Sequence, residues 1–579
     1  LYQRGALSLK TAFVYATITA LVKDVTMTTQ SARSSWLNTR RGQQLLENLT
    51  AYLFLSPAIL IIFIFGIFPV AFAFFVSLHE WGRFPDEYVG LAQYVKALGP
   101  FAYVLFFWIG IACLTGAGWA LTHLWRDSAG ERRGLLYLIP GASLTAALLA
   151  FVNWFFILLL FLMNVPVRLR GQQVTQVSFL NEFYASFQFP QALAAAEIMW
   201  IVIALAGVIS LLFIVLIKTE RRGHQLLQSM LCFTLLGAGV LILQLTLTEI
   251  QTAILAAQAS GESLPIWSQI IVISAGVGLL GLAYTLWRRG IHADSDRQFV
   301  MQALIAVLLV VGGYLLIAEL PRALGQIDRD IISGFNVTVM LTIGTVPLQL
   351  AIGLGLAVLL FQNIKGQAFF RVVYFLPYIT PFVATATIFS LLFSSRPESP
   401  VNQLINSLGI ADQNWLREPS GIFQLIFGSN VPDALAGPSL ALLVVILYST
   451  WVYAGYSTVI FLAGLGNIPK EMYEAAKIDG ANGWQTFRFI TLPLLSPTTF
   501  FLVLIATIGS FQAFSQIFLL RKPGAYEAVD TINLYILEEI RRDRPDYAYG
   551  SAMAFVLFAV ILILTIVQNR YAQRRVFYG

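Results

Sequence analysis

Apolar residues run in blocks along this chain, not in stripes. Stretches of twenty or more, nearly free of charge, recur from residue 51 to residue 568 with short polar turns between them. A helix with one buried face shows a 3.6-residue stripe, whereas a helix apolar on every side needs core or lipid all round it. About twenty such residues rise about 30 Å as a helix, the depth of a bilayer's hydrocarbon. In that solvent each peptide group needs an internal partner, which a helix supplies. The blocks predict about twelve spanning helices, at 51–78, 101–124, 135–165, 192–217, 226–247, 264–287, 299–320, 335–361, 369–392, 438–465, 498–519 and 549–568. The expected fold class is an all-α integral membrane protein, a polytopic helical bundle.

Charge placement gives the bundle an orientation, because cytoplasmic loops carry an excess of Lys and Arg. With Arg40 and Arg41 inside, the next inside loops hold Arg126, Arg132 and Arg133, then Lys218, Arg221 and Arg222, then Arg288, Arg289 and Arg297. The C-terminal Arg570, Arg574 and Arg575 fall on the same side. Loop 248–263 has no Lys or Arg, and 166–190 has only Arg168 and Arg170. Both termini are therefore expected in the cytoplasm. Two longer polar loops, 393–437 and 520–548, are expected outside, although Arg541, Arg542 and Arg544 lie there on the disfavoured side.

Composition agrees with burial in lipid. Hydrophobic residues are 58% of the chain, charged residues 11%, and the mean hydropathy is +0.75. The net charge of +6 is scattered through the turns, which argues against nucleic acid as a partner. Cys113 and Cys232 sit far apart in apolar runs and read as small buried hydrophobes. His79, His123, His224 and His292 form no ligand-spaced group, so no metal site is expected. At the start, 11–22 is too short to span, and no small-residue cleavage site follows it. Met27 then opens a polar segment, and the expectation is that residues 1–26 are not part of the functional protein.

One inside loop departs from the short basic turns. In 468–493, Pro469 can open a short helix that carries Glu474, Ala475 and Ala476, and Gly480 offers a left-handed stop. A second amphipathic stretch, 481–490, is expected to end at Pro493. Paired alanines beside Met472, Tyr473 and Ile478 suit docking into another protein's groove. No phosphate-binding loop of the G-x-x-x-x-G-K-[ST] type occurs anywhere, so this chain is not expected to bind ATP itself.

The loop closely resembles the EAA loop of bacterial ABC importer permeases: Glu474-Ala475-Ala476, Asp479-Gly480-Ala481, Phe487, Ile490, Leu492-Pro493 and Pro497. The Asp-Gly-Ala form is similar to that of the carbohydrate-type permeases, such as the larger channel subunit of the maltose importer. Residues 51–58, 88–94, 370–381 and 549–552 also look like that family. The resemblance implies a type I importer permease core in 51–100 and 331–579, following a cytoplasmic segment 1–50. It implies that Glu474, Ala475, Ala476, Asp479, Gly480 and Ala481 couple to an ABC ATPase dimer, which would hold ATP and Mg. It further implies a second permease subunit, an extracytoplasmic sugar-binding protein, a bacterial inner-membrane location, and no catalysis by this chain. The block 101–330, about six spanning helices, has no counterpart in the resemblance. Glu197 is its one carboxylate clearly inside an expected span.

A sugar ring has polar edges and C–H-rich faces, so a pathway for it needs aromatic platforms beside hydroxyls and amides. Tyr453, Tyr456 and Ser457 in one span, and Ser510, Phe511, Gln512 and Phe514 in another, offer both. The family's sugar contacts come from the matching helices, with Tyr456 at a contact position, whereas Ala513 stands where that family has a polar residue. The same polar side chains could instead serve as glue between helices. The expected function is sugar or oligosaccharide import. A polyol or glycerol-phosphate permease is the alternative, and a secondary transporter is a more distant one that would show related halves and membrane carboxylates.

Overall fold

The structure is a computed structural model that describes residues 40–127, 132–171, 175–216, 222–261, 266–291, 296–317, 325–362, 365–428, 430–432 and 435–573. The expected start at Met27 lies outside the described residues. Contacts divide the chain at Ala73. Its first part is a helix, α1 (Arg40–Ile62), that passes through a π-helical turn at Phe63–Ile67 into Phe68–Ser77. Its side chains are exposed from Leu46 to Ile67, with Phe54 81% and Phe65 77% exposed.

Beyond Ala73 a small hairpin, β1 (His79–Trp81) and β2 (Pro85–Tyr88), leads to α2 (Ala92–Leu98). The inserted block follows as α3 (Phe101–Asp127), α4 (Leu138–Met163), α5 (Gln176–Ser186), α6 (Pro190–Leu216), α7 (Arg222–Ala259), α8 (Ile266–Ile291) and α9 (Asp296–Ile317). Its long helices pair as α3 with α7, α4 with α6 and α8 with α9. Small residues make these contacts close: a Cβ on Gly239 would lie 3.1 Å from the Gly110 carbonyl oxygen. Lipid is as apolar as leucine, so close packing of this kind, not hydrophobic transfer, holds such helices together.

The core is α10 (Arg329–Phe361), α11 (Gln367–Ile379), α12 (Phe382–Leu392), α13 (Leu440–Gly466), α14 (Lys470–Ile478), α15 (Gly483–Thr486), α16 (Ser496–Phe511), α17 (Ser515–Leu520), α18 (Ile532–Arg541) and α19 (Tyr547–Ala572). Asp328, Ser439 and Asp546 cap α10, α13 and α19 by accepting from free N–H groups of the first turn. The chain leaves the core at Gly99 and returns at Gln326, and the two points touch. The Asp328 N–H donates to the Ala97 carbonyl at 3.1 Å, and a Cβ on Gly99 would sit 2.9 Å from the Gln326 carbonyl oxygen.

Several sequence expectations change. Among the described residues nine helices are long and apolar enough to span, or eleven if each of two bent pairs counts as one span. A shorter apolar helix, Val300–Tyr314, stands at the remaining expected position. Twelve spans are therefore not reached by length and composition. The span expected at 369–392 is broken by a 93° bend between α11 and α12. Pro377 stays inside α11, and the break falls at Thr380 and Pro381. The span expected at 498–519 stops at Phe511 and resumes as α17. Pro493 does not end the amphipathic stretch, which continues through a π-helical turn at Phe487–Thr491 to Leu494 before bending 63° into α16. Finally, α7 extends to Ala259 and so includes Glu249, a second carboxylate inside a membrane-length helix of the inserted block. Its carboxylate lies against Gly90, beside Leu91, which brings the block against the core there.

Two of the three arginines expected on the disfavoured side are paired or stacked. Arg542 meets Glu539 at 2.8 Å, and Arg541 lies over the Phe518 ring at 5.4 Å.

Candidate functional site

Helices α10 and α13 approach closely because glycine faces the contact. A Cβ on Gly353 would lie 2.7 Å from the Ser457 Cβ. On another face of α13, a Cβ on Gly455 would lie 1.9 Å from the Tyr374 carbonyl oxygen, so only glycine admits the α11 backbone there. That approach sets Tyr378 against α13. Its ring stacks on Tyr456 with centroids 5.0 Å apart and meets Tyr453 edge-on at 6.0 Å. A cavity of about 160 Å³ of water-accessible volume lies between α10, α11, α13 and the broken α16–α17. Among the described residues no charged side chain lines it.

On the cavity wall Thr345 and Gln349 come from α10 and Ser449 from α13. Thr345 Oγ1, Gln349 Oε1 and Ser449 Oγ are buried without a hydrogen-bond partner. A buried polar atom left unpaired costs about 1–3 kcal/mol, so several facing one cavity are poised for a ligand that brings hydroxyls. The tyrosine cluster lines the same cavity, with Tyr453 and Tyr456 one and two turns along α13 from Ser449. The cavity thus joins polar acceptors and donors to a flat aromatic wall. Among the described residues no group of three or more His, Cys, Asp or Glu could hold a metal ion.

Of the sequence-selected pathway residues, Tyr453, Tyr456, Ser457 and Ser510 line this cavity. Phe511, Gln512 and Phe514 do not. The helix ends at Phe511, whose ring is buried in a cluster with Tyr549 and Met553 of α19. Gln512 caps the helix with its side chain exposed, and Phe514 stacks on Phe518 at 5.6 Å. The four stand out in sequence as polar and aromatic residues in an apolar span; Phe511 is still helical and sits about 100° round the helix from Ser510, while Gln512 and Phe514 fall past the helix end. Sequence reasoning missed Thr345, Gln349, Tyr378, Ser449 and Gln516. Thr345 and Gln349 stand one helical turn apart in an apolar span, a signal that was available.

The loop 468–493 forms the end of the core opposite to α18. In α14 the last turn closes as a Schellman motif: Ala481 N–H donates to the Ala476 carbonyl at 2.9 Å and Gly480 N–H to Lys477 at 3.1 Å, with Gly480 at φ +74°. Asn482 and Gln485 then cap α15 reciprocally at 2.8 and 2.9 Å. Glu474, Ala475, Asp479 and Gly480 are exposed, Ala481 is half-buried, and Ala476 is buried against the core. Around them Ile478 is 86% exposed, Phe489 69% and Trp484 66%. These apolar side chains stand in the open at a structured loop.

Comparison with known proteins places this geometry. The family described as "Binding-protein-dependent transport system inner membrane component" matches residues 349–578. The chain is similar to the arabinooligosaccharides transport system permease protein AraP of Bacillus subtilis, at 32% identity over 38% of this chain and 63% of that one. It thus spans just under two thirds of that relative's length. It is also similar to the lactose transport system permease protein LacF of Rhizobium radiobacter, at 30% identity over 41% of this chain and 74% of that one. A solved bacterial ABC transporter for import of the acidic polysaccharide alginate matches with TM-score 0.37 and 24% identity, covering 43% of this chain and 80% of that chain. With the matched segment running from Gln349 in the cavity wall to beyond the end of α19, this multi-pass membrane chain belongs to the family of binding-protein-dependent transport system inner membrane components.

Proposed function

We propose that the chain is the membrane permease subunit of an ATP-driven importer that carries an uncharged sugar or oligosaccharide. The observation that supports this most is the cavity, which the unpartnered Thr345, Gln349 and Ser449 line together with the stacked Tyr378 and Tyr456. A sugar ring offers hydroxyls to the first set and its C–H face to the second. A phosphorylated solute would call for a cationic side chain, and the lining has none.

In this reading an external binding protein delivers the sugar to the end of the core formed by the loops 393–437 and 520–548. The exposed Glu474, Ala475, Asp479 and Gly480, with Ile478 and Trp484, dock on a separate ATPase dimer that carries ATP and Mg. Movement of that dimer is passed through α14 to α13 and α16, whose ends the loop 468–493 joins, so the cavity faces each side in turn. A second permease subunit completes the pore. The chain sits in a bacterial inner membrane with both termini in the cytoplasm, and catalyses no covalent step itself.

The test is uptake by Tyr456→Ala in the full complex. Loss of the stacking face should lower uptake about two- to tenfold at equal membrane abundance, since such aromatic contacts contribute about 0.5–1.5 kcal/mol beyond their buried area. Uptake equal to the parent across a range of sugar concentrations would move the site elsewhere.

A further inference from the structure

Residues 527–533 cross the ends of all the long helices that line the cavity, at the end opposite the loop 468–493. Ser333 Oγ of α10 donates to the Glu527 carbonyl at 3.5 Å, and Ser439 Oγ, at the start of α13, donates to Ala528 at 3.1 Å. The Ile532 N–H donates to Thr338 Oγ1 of α10 at 3.4 Å, one turn from Leu341 in the cavity wall. The remaining contacts fall on the break in the cavity helix. Because the helix stops at 511, the carbonyls of Phe511 and Ala513 lose their in-helix donors. Asn533 Nδ2 donates to Phe511 at 3.0 Å and to Ala513 at 3.4 Å, and the fully buried Thr531 Oγ1 donates to Ala513 at 3.3 Å.

We propose that Asp530–Asn533 is a latch over this end of the cavity, with Thr531 and Asn533 as positioning residues that occupy the carbonyls freed by the broken helix. This rests on the reading of the cavity as the transport site. Ala513 lines the cavity itself, so its carbonyl is held by the latch within one residue of the neighbouring Gln512 and three of Ser510. When the latch lifts, both carbonyls need new partners, and water or an arriving hydroxyl can supply them. Irregular backbone is tolerated at membrane depth where it meets protein or a water-filled cavity, and the two states of the latch meet that condition in turn. The side chain of Asp530 anchors the near end through Arg521 at 2.9 Å, and Arg521 also holds Glu538 at 2.9 Å.

The test labels the cavity from the latch side. In the full chain with Cys113 and Cys232 replaced by serine, Ser510→Cys is exposed to a membrane-impermeant methanethiosulfonate in right-side-out vesicles, and Ser407→Cys, exposed at the end of the short helix Pro400–Ser407, serves as control. Asn533→Leu and Thr531→Val should each speed labelling of Ser510→Cys about three- to tenfold, the scale of one hydrogen bond, with the control unchanged. Thr531→Ser keeps the hydroxyl and should return the parental rate. Unchanged rates in Thr531→Val, no labelling in any variant, or equal acceleration in Thr531→Ser would each overturn the latch. If Asn533→Leu fails to accumulate, the smaller Thr531 pair decides. The labelling needs no sugar, so its failure is separate from failure of the Tyr456→Ala uptake test.

Discussion

The helix α13 and the inserted helices α4 and α6 are all apolar enough to span, yet they meet different surroundings. In its most apolar window α13 is 72% buried within the protein, whereas the segments Leu135–Arg168 and Pro190–Phe213 are 6% and 11% buried. Surroundings change what the sequence can carry. Inside the core, Ser449, Tyr453, Tyr456 and Ser457 interrupt an aliphatic helix and face a cavity, and the two neighbouring spans are bent or broken. In the block, α4 and α6 run without a break and show lipid-type side chains such as Trp200, 65% exposed. Breaks in helices are costly in hydrocarbon, so they collect where protein or a cavity can satisfy the freed groups. The broken, polar helices belong to the region that the family comparison covers.

The largest test of this contrast uses one substitution in each region. Gly455→Ala forces a Cβ to within 1.9 Å of the Tyr374 carbonyl, whereas Gly207→Ala in α6 meets nothing within 4 Å. The first should destabilise the core by about 3 kcal/mol or more and abolish uptake, because the contact is backbone and cannot swing aside. The second should leave both unchanged or stabilise α6 by a fraction of about 1 kcal/mol. Thermal unfolding in detergent and uptake in vesicles check both, and equal effects would erase the contrast.

Next in size is Glu474→Lys, on the exposed loop surface. Uptake should fall about tenfold or more at parental membrane abundance, since reversing a charge at a docked surface costs about 2–5 kcal/mol where the pair is buried. Co-purification with the ATPase at parental yield, together with normal uptake, would refute the docking role.

A smaller loss is expected from excising the block. Since Gly99 meets Gln326 and Asp328 bonds to Ala97, a short flexible linker from Gly99 to Gln326 closes the gap with little movement. This keeps Asp328, which accepts from the Tyr549 hydroxyl at 2.5 Å and holds α10 to α19. The core should keep its topology by cysteine accessibility and retain measurable uptake, with some stability lost where the Glu249 contact at Gly90 disappears. Correct topology and assembly without any uptake would make the block part of the mechanism.

The smallest effect is a pH dependence at Asp530. Burial pushes its carboxyl up to about 6, against the Arg521 guanidinium that pulls it down and with Glu538 adding to the rise. A folded value above the unfolded one, about 3.9, means that the folded protein binds the proton more tightly. The contribution of Asp530 to stability therefore grows as pH falls from above 6 toward 4 and is lost as pH rises through 6. Asp530→Asn should flatten that part of a thermal-midpoint profile; a profile identical to the parent would count against it.

Much was legible before any coordinates. Block length set the membrane class and placed most spans within a few residues, because the hydrocarbon thickness fixes how many apolar residues a helix needs. The loop 468–493 announced its first helix through Pro469 and Gly480, since those residues act on the backbone locally. Tyr456 and Ser510 were readable as polar groups in apolar spans. The course of a span past its own break was not readable. Nothing local in Gln512–Phe514 marks a stop, and the break persists because Thr531 and Asn533, distant along the chain, take up the freed carbonyls. For the same reason Thr345, Gln349 and Tyr378 joined the site only through the close approaches at Gly353 and Gly455. The sequence by itself determined solvent, class and the local turns, all of which depend on neighbouring residues. Tertiary structure alone decided which polar groups share a cavity, because that depends on which helix faces meet, and a helix apolar on every side does not encode its facing direction.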